Sequence, residues 1–129
     1  MADLTLFDKA VSNLNAAVLL RQNVENDESQ LNIIAFHLQQ CLEFALKYQF
    51  EMNGLEYPRV HTIEQLLSFA KDHEIDLKTT EYIDEHAEMF TQWEAKSRYI
   101  LGYLVEQKKV DRAIEELKTY LTLIHDADN

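Results

Sequence analysis

Apolar side chains recur every three or four positions along almost the whole chain, the spacing that places them on one face of an α-helix. In the first segment, residues 4–24, the repeat runs through Leu4, Phe7, Val11 and Leu14. No stretch shows the strict alternation of apolar and polar residues that is typical of a half-buried β-strand. The pattern therefore predicts an all-α fold.

Cap and turn signals divide the first half of the chain into two helices. The polar cluster "ENDES" ends the first helix, and Asp27 with Gln30 three residues later predicts the cap of a second helix. This helix is expected to run to about Asn53, because Gly54 takes the usual C-terminal position and Pro58 in the next loop prevents helix continuation.

Three more helices are predicted in the second half. Thr62 and Gln65 have the spacing of a capping box for a short helix that ends near Asp72. The fourth helix is expected at about 79–97 and the fifth at about 107–125, with the segment "SRYILGY" between them. The expected architecture is an up-and-down bundle of four to five helices, with the short helix in its middle connection.

The second helix carries large apolar side chains on both of its faces. On a helical wheel, one broad apolar arc contains Leu31, Ile34, Ala35, Leu38, Cys41, Leu42, Ala45 and Met52. The opposite arc contains Ile33, Phe36, His37, Gln40, Glu43, Phe44, Lys47 and Phe50. Phenylalanines at this density would form a sticky surface if water covered them. Either neighbouring helices surround this helix, or the second face meets a partner subunit through the interface candidates Ile33, Phe36, Phe44 and Phe50.

Composition indicates one soluble domain over residues 1–129. A chain of 129 residues with 47% hydrophobic content can bury a real core, and two glycines with one proline leave no flexible linker. Apolar runs are too short to cross a membrane, and the start lacks the basic residues of a signal peptide. A cytoplasmic location is therefore expected. The lone Cys41 is interpreted as a buried, inert thiol.

The charge of −11, from 23 acidic and 12 basic residues, argues against broad binding to a nucleic-acid backbone. The two densest basic spots are "KKVDR" at 108–112 and the pair Lys96 and Arg98. Both are interpreted as solvated helix faces.

Metal and cofactor chemistry is not indicated. Di-iron bundles need a glutamate three residues before an inward-facing histidine, and none of the five histidines has a carboxylate there. Two glycines can hardly build a phosphate-binding loop. We therefore expect no metal site and no cofactor.

The segments "FHLQQCLEFALKYQFEMNG" at 36–54 and "PRVHTIEQLLSFA" at 58–70 resemble the HEPN domain family of helical bundles. They share that family's pattern of Gln-Gln after an aromatic or small residue, Glu and Lys four apart, a proline loop, a histidine and a Leu-Leu helix. "SRYILGY" at 97–103 is similar to the family's arginine-tyrosine segment. The resemblance implies a single HEPN-like domain, a homodimer, and RNA cleavage or nucleotide binding in many members. It also implies a nucleotidyltransferase partner in toxin–antitoxin or defence pairs.

Catalytic members of the family resemble one another in an arginine separated from a histidine by four to six residues. The histidine can act as acid or base, and the arginine can stabilise phosphate charge. None of the four arginines here has a histidine at that distance, and Tyr103 stands at the first such position after Arg98. We therefore expect a non-nucleolytic member without catalytic residues.

A candidate ligand site combines the polar strip of the second helix with the segment after the fourth. Its members are His37, Gln40, Glu43, Lys47, Arg98, Tyr99 and Tyr103. Three functions stay open: a dimeric module that binds a nucleotide, RNA or partner protein, a purely structural homodimer, and a ribonuclease with a non-standard site around Arg98.

Overall fold

The computed structural model describes residues 5–24, 30–60, 62–99 and 105–128, and the side chains of residues 97–99 and 128 lie outside this description. Within these ranges the chain forms five α-helices and no strand, so the predicted all-α bundle is confirmed. The helices are α1 (Leu6–Asn23), α2 (Leu31–Met52), α3 (Ile63–Asp72), α4 (Glu81–Tyr99) and α5 (Gln107–Asp128).

Side-chain caps fix the starts of α1 and α3. Thr5 accepts a hydrogen bond from the backbone N–H of Asp8, whose carboxylate accepts one from the N–H of Thr5, so α1 starts with a full capping box. Thr62 accepts a hydrogen bond from the N–H of Gln65, as the sequence predicted for α3. At α2, by contrast, Gln30 makes no side-chain cap, and Asp27 lies outside the described residues.

Gly54 ends α2 as predicted. Its φ of +73° lies in the left-handed region, where only glycine is free of strain. The N–H of Gly54 donates to the carbonyl of Glu51, and the N–H of Leu55 donates to that of Phe50. These two bonds form a Schellman motif, which satisfies carbonyls that the helix end would otherwise leave open.

α2 is the central helix of the bundle and packs against each of the other four. Its inner residues, including Ile34, Leu38 and Leu42, are fully buried. From α4, Phe90 and Trp93 join this core with their ring centroids 5.2 Å apart in an edge-on arrangement. Each such side chain contributes about 1.5–3 kcal/mol by leaving water, so the core around α2 dominates the stability of the fold.

A buried polar network ties the connection between α3 and α4 to the rest of the bundle. The side-chain amide of Gln49 donates to the carbonyl of Lys78 at 3.1 Å and accepts from its N–H at 2.6 Å. The same amide donates to the Tyr120 hydroxyl at 2.6 Å, and this hydroxyl donates to the Lys78 carbonyl at 2.6 Å. Residues of α2 and α5 thereby hold the backbone at Lys78, although Gln49 and Tyr120 lie in the hydrophobic core.

Candidate binding surface on helix α2

The second face of α2 is largely covered by neighbouring helices, and Phe50 is the clearest correction to the helical wheel. Phe50 is fully buried, with its ring 5.8 Å from that of Phe69 on α3, so it cannot form part of an outer interface. Met52, by contrast, was expected in the core but is 54% exposed, because it is the last residue of α2. A wheel of one helix contains no information about where its neighbours stop.

Phe44 is also partly buried. It packs against the core, and the ammonium group of Lys9 on α1 lies 5.5 Å from its ring centroid. A cation at this distance is attracted to the ring face. The four interface candidates thus differ in exposure. Ile33 is the most exposed, at 52%, and Phe36 is half-buried.

We define the outer face of α2 by the side chains that remain partly or largely accessible on it. We include Ile33, Phe36, Gln40, Glu43 and Lys47, and leave out the partly accessible Phe44 and His37, which contact Lys9 and Asn13 of α1. Its N-terminal half is apolar and its C-terminal half is polar. The face can therefore offer apolar contact area beside fixed hydrogen-bonding groups.

The polar half is a connected ladder of side chains. Gln40 donates to the side-chain oxygen of Gln39 at 2.6 Å, and Gln39 donates to Glu43 at 3.2 Å. Lys47 donates to the second carboxylate oxygen of Glu43 at 3.3 Å. Glu43 and Lys47 are each only 17% exposed, so this ion pair is held in place rather than freely solvated. The sequence predicted the pair from its spacing, but it did not indicate Gln39, which is fully buried.

Tyr57 extends this ladder beyond α2. Its ring lies 5.0 Å from the ammonium group of Lys47, within the range of a cation–π contact. The charge of Lys47 is thus shared between a carboxylate and an aromatic face. An additional anion would have to compete with Glu43 for this ammonium group.

His37 is separate from the ladder, contrary to the predicted single strip. Its Nδ1 lies 2.9 Å from the amide oxygen of Asn13 on α1, and its ring packs edge-on against Phe36. Burial lowers the pKa of His37 below its usual value near 6.5, because the charged imidazolium loses hydration there. His37 fastens α1 to α2 at the margin of the outer face.

The later part of the predicted site lies outside the described side chains. The backbone of Arg98 and Tyr99 forms the last turn of α4, but their side chains lie outside the described residues, as does Tyr103. Among the residues that are described, Glu43, Lys47 and Gln40 come together through Gln39, and His37 joins α1 instead.

Cys41 is buried in the core, as expected for an inert thiol. Burial raises the pKa of its thiol to about 12, so the reactive thiolate is disfavoured at neutral pH. Across the described ranges, no group of three or more His, Cys, Asp and Glu side chains could hold a metal ion. None of the described helices is both long and apolar enough to span a membrane.

A sequence model of the HEPN domain matches residues 4–126 of the chain. The match covers all five helices up to the last turn of α5, and it includes the segments that carry the resemblance seen in the sequence. Neither a search of curated proteins nor a search of solved structures gives a match. Because the HEPN match extends over nearly the whole chain, this protein belongs to the HEPN domain family.

Proposed function

We propose that this chain is a HEPN module without ribonuclease activity that forms a homodimer through the outer face of α2. The dimer would bind a nucleotide or RNA-related ligand, or a partner protein such as a nucleotidyltransferase in a toxin–antitoxin or defence pair. The observation that carries the proposal is the outer face itself, where Ile33 and Phe36 remain accessible beside the Glu43–Lys47 pair.

The absence of ribonuclease activity is supported by the sequence of the whole chain. No arginine is followed by a histidine after four to six intervening residues. Arg21 is in addition engaged by both carboxylate oxygens of Asp111, at 2.6 and 3.1 Å. Tyr103, which stands at the first position where the motif after Arg98 would have its histidine, could donate a hydrogen bond to a phosphate, but the ordinary tyrosine pKa near 10 makes it a poor base.

Self-association is supported by the arrangement of apolar area on α2. In a two-fold dimer the same surface patch of both copies forms the interface, so Ile33 and Phe36 would be buried in each of the two subunits. Leu19 on α1 is more exposed than Ile33, at 62% against 52%, but the next turn on its face carries the exposed polar residues Gln22 and Asn23. An isolated apolar residue needs no partner, whereas Ile33 and Phe36 are neighbours three residues apart on one helix face.

The test of the dimer compares Ile33→Glu with Leu19→Glu. Both replace an exposed aliphatic side chain on a helix surface by a carboxylate, so their effects on folding should be similar and small. Light scattering coupled to size exclusion should find a dimer for the native chain and Leu19→Glu. For Ile33→Glu we expect a dissociation constant raised about thirtyfold or more, as for an interface anchor. A native monomer, or equal weakening by both substitutions, would contradict the proposed interface.

The ligand is tested by thermal shift with nucleotides and short RNAs, since a ligand bound only by the native state raises stability by RT ln(1 + [L]/Kd). Lys47→Ala should abolish a saturable shift, and Lys118→Ala, at an exposed lysine of α5, should preserve it. A dimer that shows no shift with any ligand supports the purely structural module. RNA cleavage that Arg98→Ala abolishes would instead establish the ribonuclease alternative.

A further inference from the structure

A basic groove lies between α4 and α5 and contains no residue of α2. Six side chains line it: Tyr82, His86 and Met89 from α4, and Lys108, Lys109 and Arg112 from α5. Its volume is about 380 Å³. We call it the α4–α5 groove.

The groove continues into a second hollow of about 460 Å³. The two share His86, Met89 and Lys109, and the second one extends along α4 to Trp93. Each hollow has the size of a small-molecule site, for which volumes of about 300–1,000 Å³ are typical. Together they form one elongated depression along α4.

The cationic side chains are concentrated in the first part of this depression, although Lys109 also lines the second hollow. Lys108, Lys109 and Arg112 line the first part without any carboxylate among its six side chains, although the chain has 23 acidic residues. Glu85, Glu88 and Glu106 surround the second hollow. An anion is therefore attracted more strongly to the first part than to the second, where Lys109 pairs with Glu106.

Neighbouring carboxylates neutralise the positive charges of Lys108, Lys109 and Arg112 only weakly. Lys109 lies 3.5 Å from Glu106 and Arg112 lies 3.7 Å from Glu116, and both cationic side chains are more than half exposed. Exposed pairs of this kind contribute little energy. In the part of the chain that the structure describes, Lys108 makes no ion pair at all.

The aromatic floor of the groove is held in a fixed geometry. The Arg112 guanidinium lies 5.2 Å from the centroid of the Tyr82 ring, and the His86 ring stacks on that ring at 4.2 Å. His86 Nδ1 lies 2.8 Å from the carbonyl oxygen of Tyr82, so Nε2 is the ring nitrogen that this contact does not use. A preorganised floor reduces the entropy that a ligand loses on binding.

We propose that the α4–α5 groove binds a phosphate monoester of a small organic molecule. The phosphate lies beside Lys108, Lys109 and Arg112, and the organic part packs on His86 and Met89. Hydroxyl or amino groups of that part can donate to Glu85 or Glu88 in the second hollow. A phosphate monoester carries about −1.5 to −2 charges at neutral pH and three acceptor oxygens, which suit a cluster of three cations.

The test titrates the full-length protein with adenosine monophosphate, followed by calorimetry and amide chemical shifts. Inorganic phosphate and adenosine serve as the two partial ligands. Lys108→Glu reverses one charge at a side chain that has no ion pair with any described residue, and Lys118→Glu makes the same change outside the groove, on the same helix. We expect adenosine monophosphate to bind more tightly than either partial ligand, and Lys108→Glu to weaken it about tenfold. Lys118→Glu should leave its affinity within about twofold, because exposed charges a Debye length apart are screened.

Equal weakening by the two substitutions would indicate a general charge effect and would overturn the proposal. Inorganic phosphate that binds as tightly as the ester would overturn the role of the organic group. This inference is independent of the proposed function, whose ligand site includes Lys47. If Lys47→Ala abolishes binding and Lys108→Glu does not, the α4–α5 groove is excluded while the proposed function is supported.

Discussion

His37 illustrates how the contacts of a single residue set its chemistry. Its imidazole is partly buried between Phe36 and the amide of Asn13, and this burial lowers its pKa. The sequence placed His37 among the candidate ligand-binding residues because it lies on the polar strip of the second helix with Gln40, Glu43 and Lys47. Packing against α1 decided instead that its neutral form is favoured.

The lowered pKa of His37 predicts an acid-sensitive contribution to stability. Above about pH 7.5 the imidazole is neutral in both states, and its contribution is fully present. As the pH falls through about 6.5, the unfolded chain takes up the proton first, so the native state loses stability until the lower folded pKa is passed. His37→Gln removes this titration and should therefore lose less free energy of unfolding between about pH 7.5 and about pH 5.5.

Urea unfolding of both proteins at the two pH values measures this difference. Between about pH 8 and about pH 9 the two stability curves should run parallel, because His37 is uncharged throughout. An equal loss of stability on acidification in both proteins would show that His37 does not contribute.

At the scale of the elements, α2 and α3 end in the same way with different residues. Gly54 follows α2 with φ +73°, and Glu74 follows α3 with φ +54°. In both motifs the next residue donates back into the helix, Leu55 to Phe50 at 3.0 Å and Ile75 to Ala70 at 2.8 Å. The sequence indicated only the first end, since glutamate is not a signal for left-handed backbone.

This shared motif predicts that two substitutions change the stability of the protein in opposite directions. Gly54→Ala should destabilise the protein by about 1 kcal/mol, because a side chain is strained at positive φ. No atom lies within 4 Å of the added Cβ, so the cost is conformational and not steric. Glu74→Gly should raise stability by a similar or smaller amount, since it relieves that strain but frees the unfolded chain. Thermal unfolding measures both, and changes of the same sign would refute this account.

The outer face of α2 shows how far helix patterns predict a site. The spacing of Glu43 and Lys47 correctly predicted their contact at 3.3 Å, because residues four apart are always neighbours on a helix. Phe50 lies on the same wheel arc but is covered by Phe69 of α3. Only the packing of a short, sequence-distant helix decided that exposure.

At the scale of the whole molecule, the network around Lys78 joins segments that are far apart in the chain. Gln49 and Tyr120 reach the same backbone carbonyl from α2 and α5. A glutamine at the centre of the apolar arc of α2 is a signal that the sequence offered, because a buried amide requires partners. The identity of those partners depends on the tertiary fold.

Gln49→Leu should lower the free energy of unfolding by about 1–3 kcal/mol, because the N–H of Lys78 and the Tyr120 hydroxyl lose a buried partner. Gln22→Leu is the matched control at an exposed position of α1, with an expected change within about 0.5 kcal/mol. Chemical denaturation of the two variants and the native chain provides the comparison. Tyr120→Phe keeps the packing but removes the hydroxyl and should cost about 1 kcal/mol. A cost for Gln49→Leu no larger than that for Gln22→Leu would disprove the role of the network.

The sequence by itself determined the helical class, the five helices and several of their ends, since helix periodicity, caps and C-terminal glycine act within a few neighbouring residues. It also indicated the HEPN family, which the match over residues 4–126 establishes. The tertiary structure alone decided which side of α2 stays open, that His37 binds Asn13, and that three cations of α5 meet Tyr82 and His86 of α4. These outcomes depend on contacts between segments far apart in sequence, and the spacing of residues along one helix does not specify them.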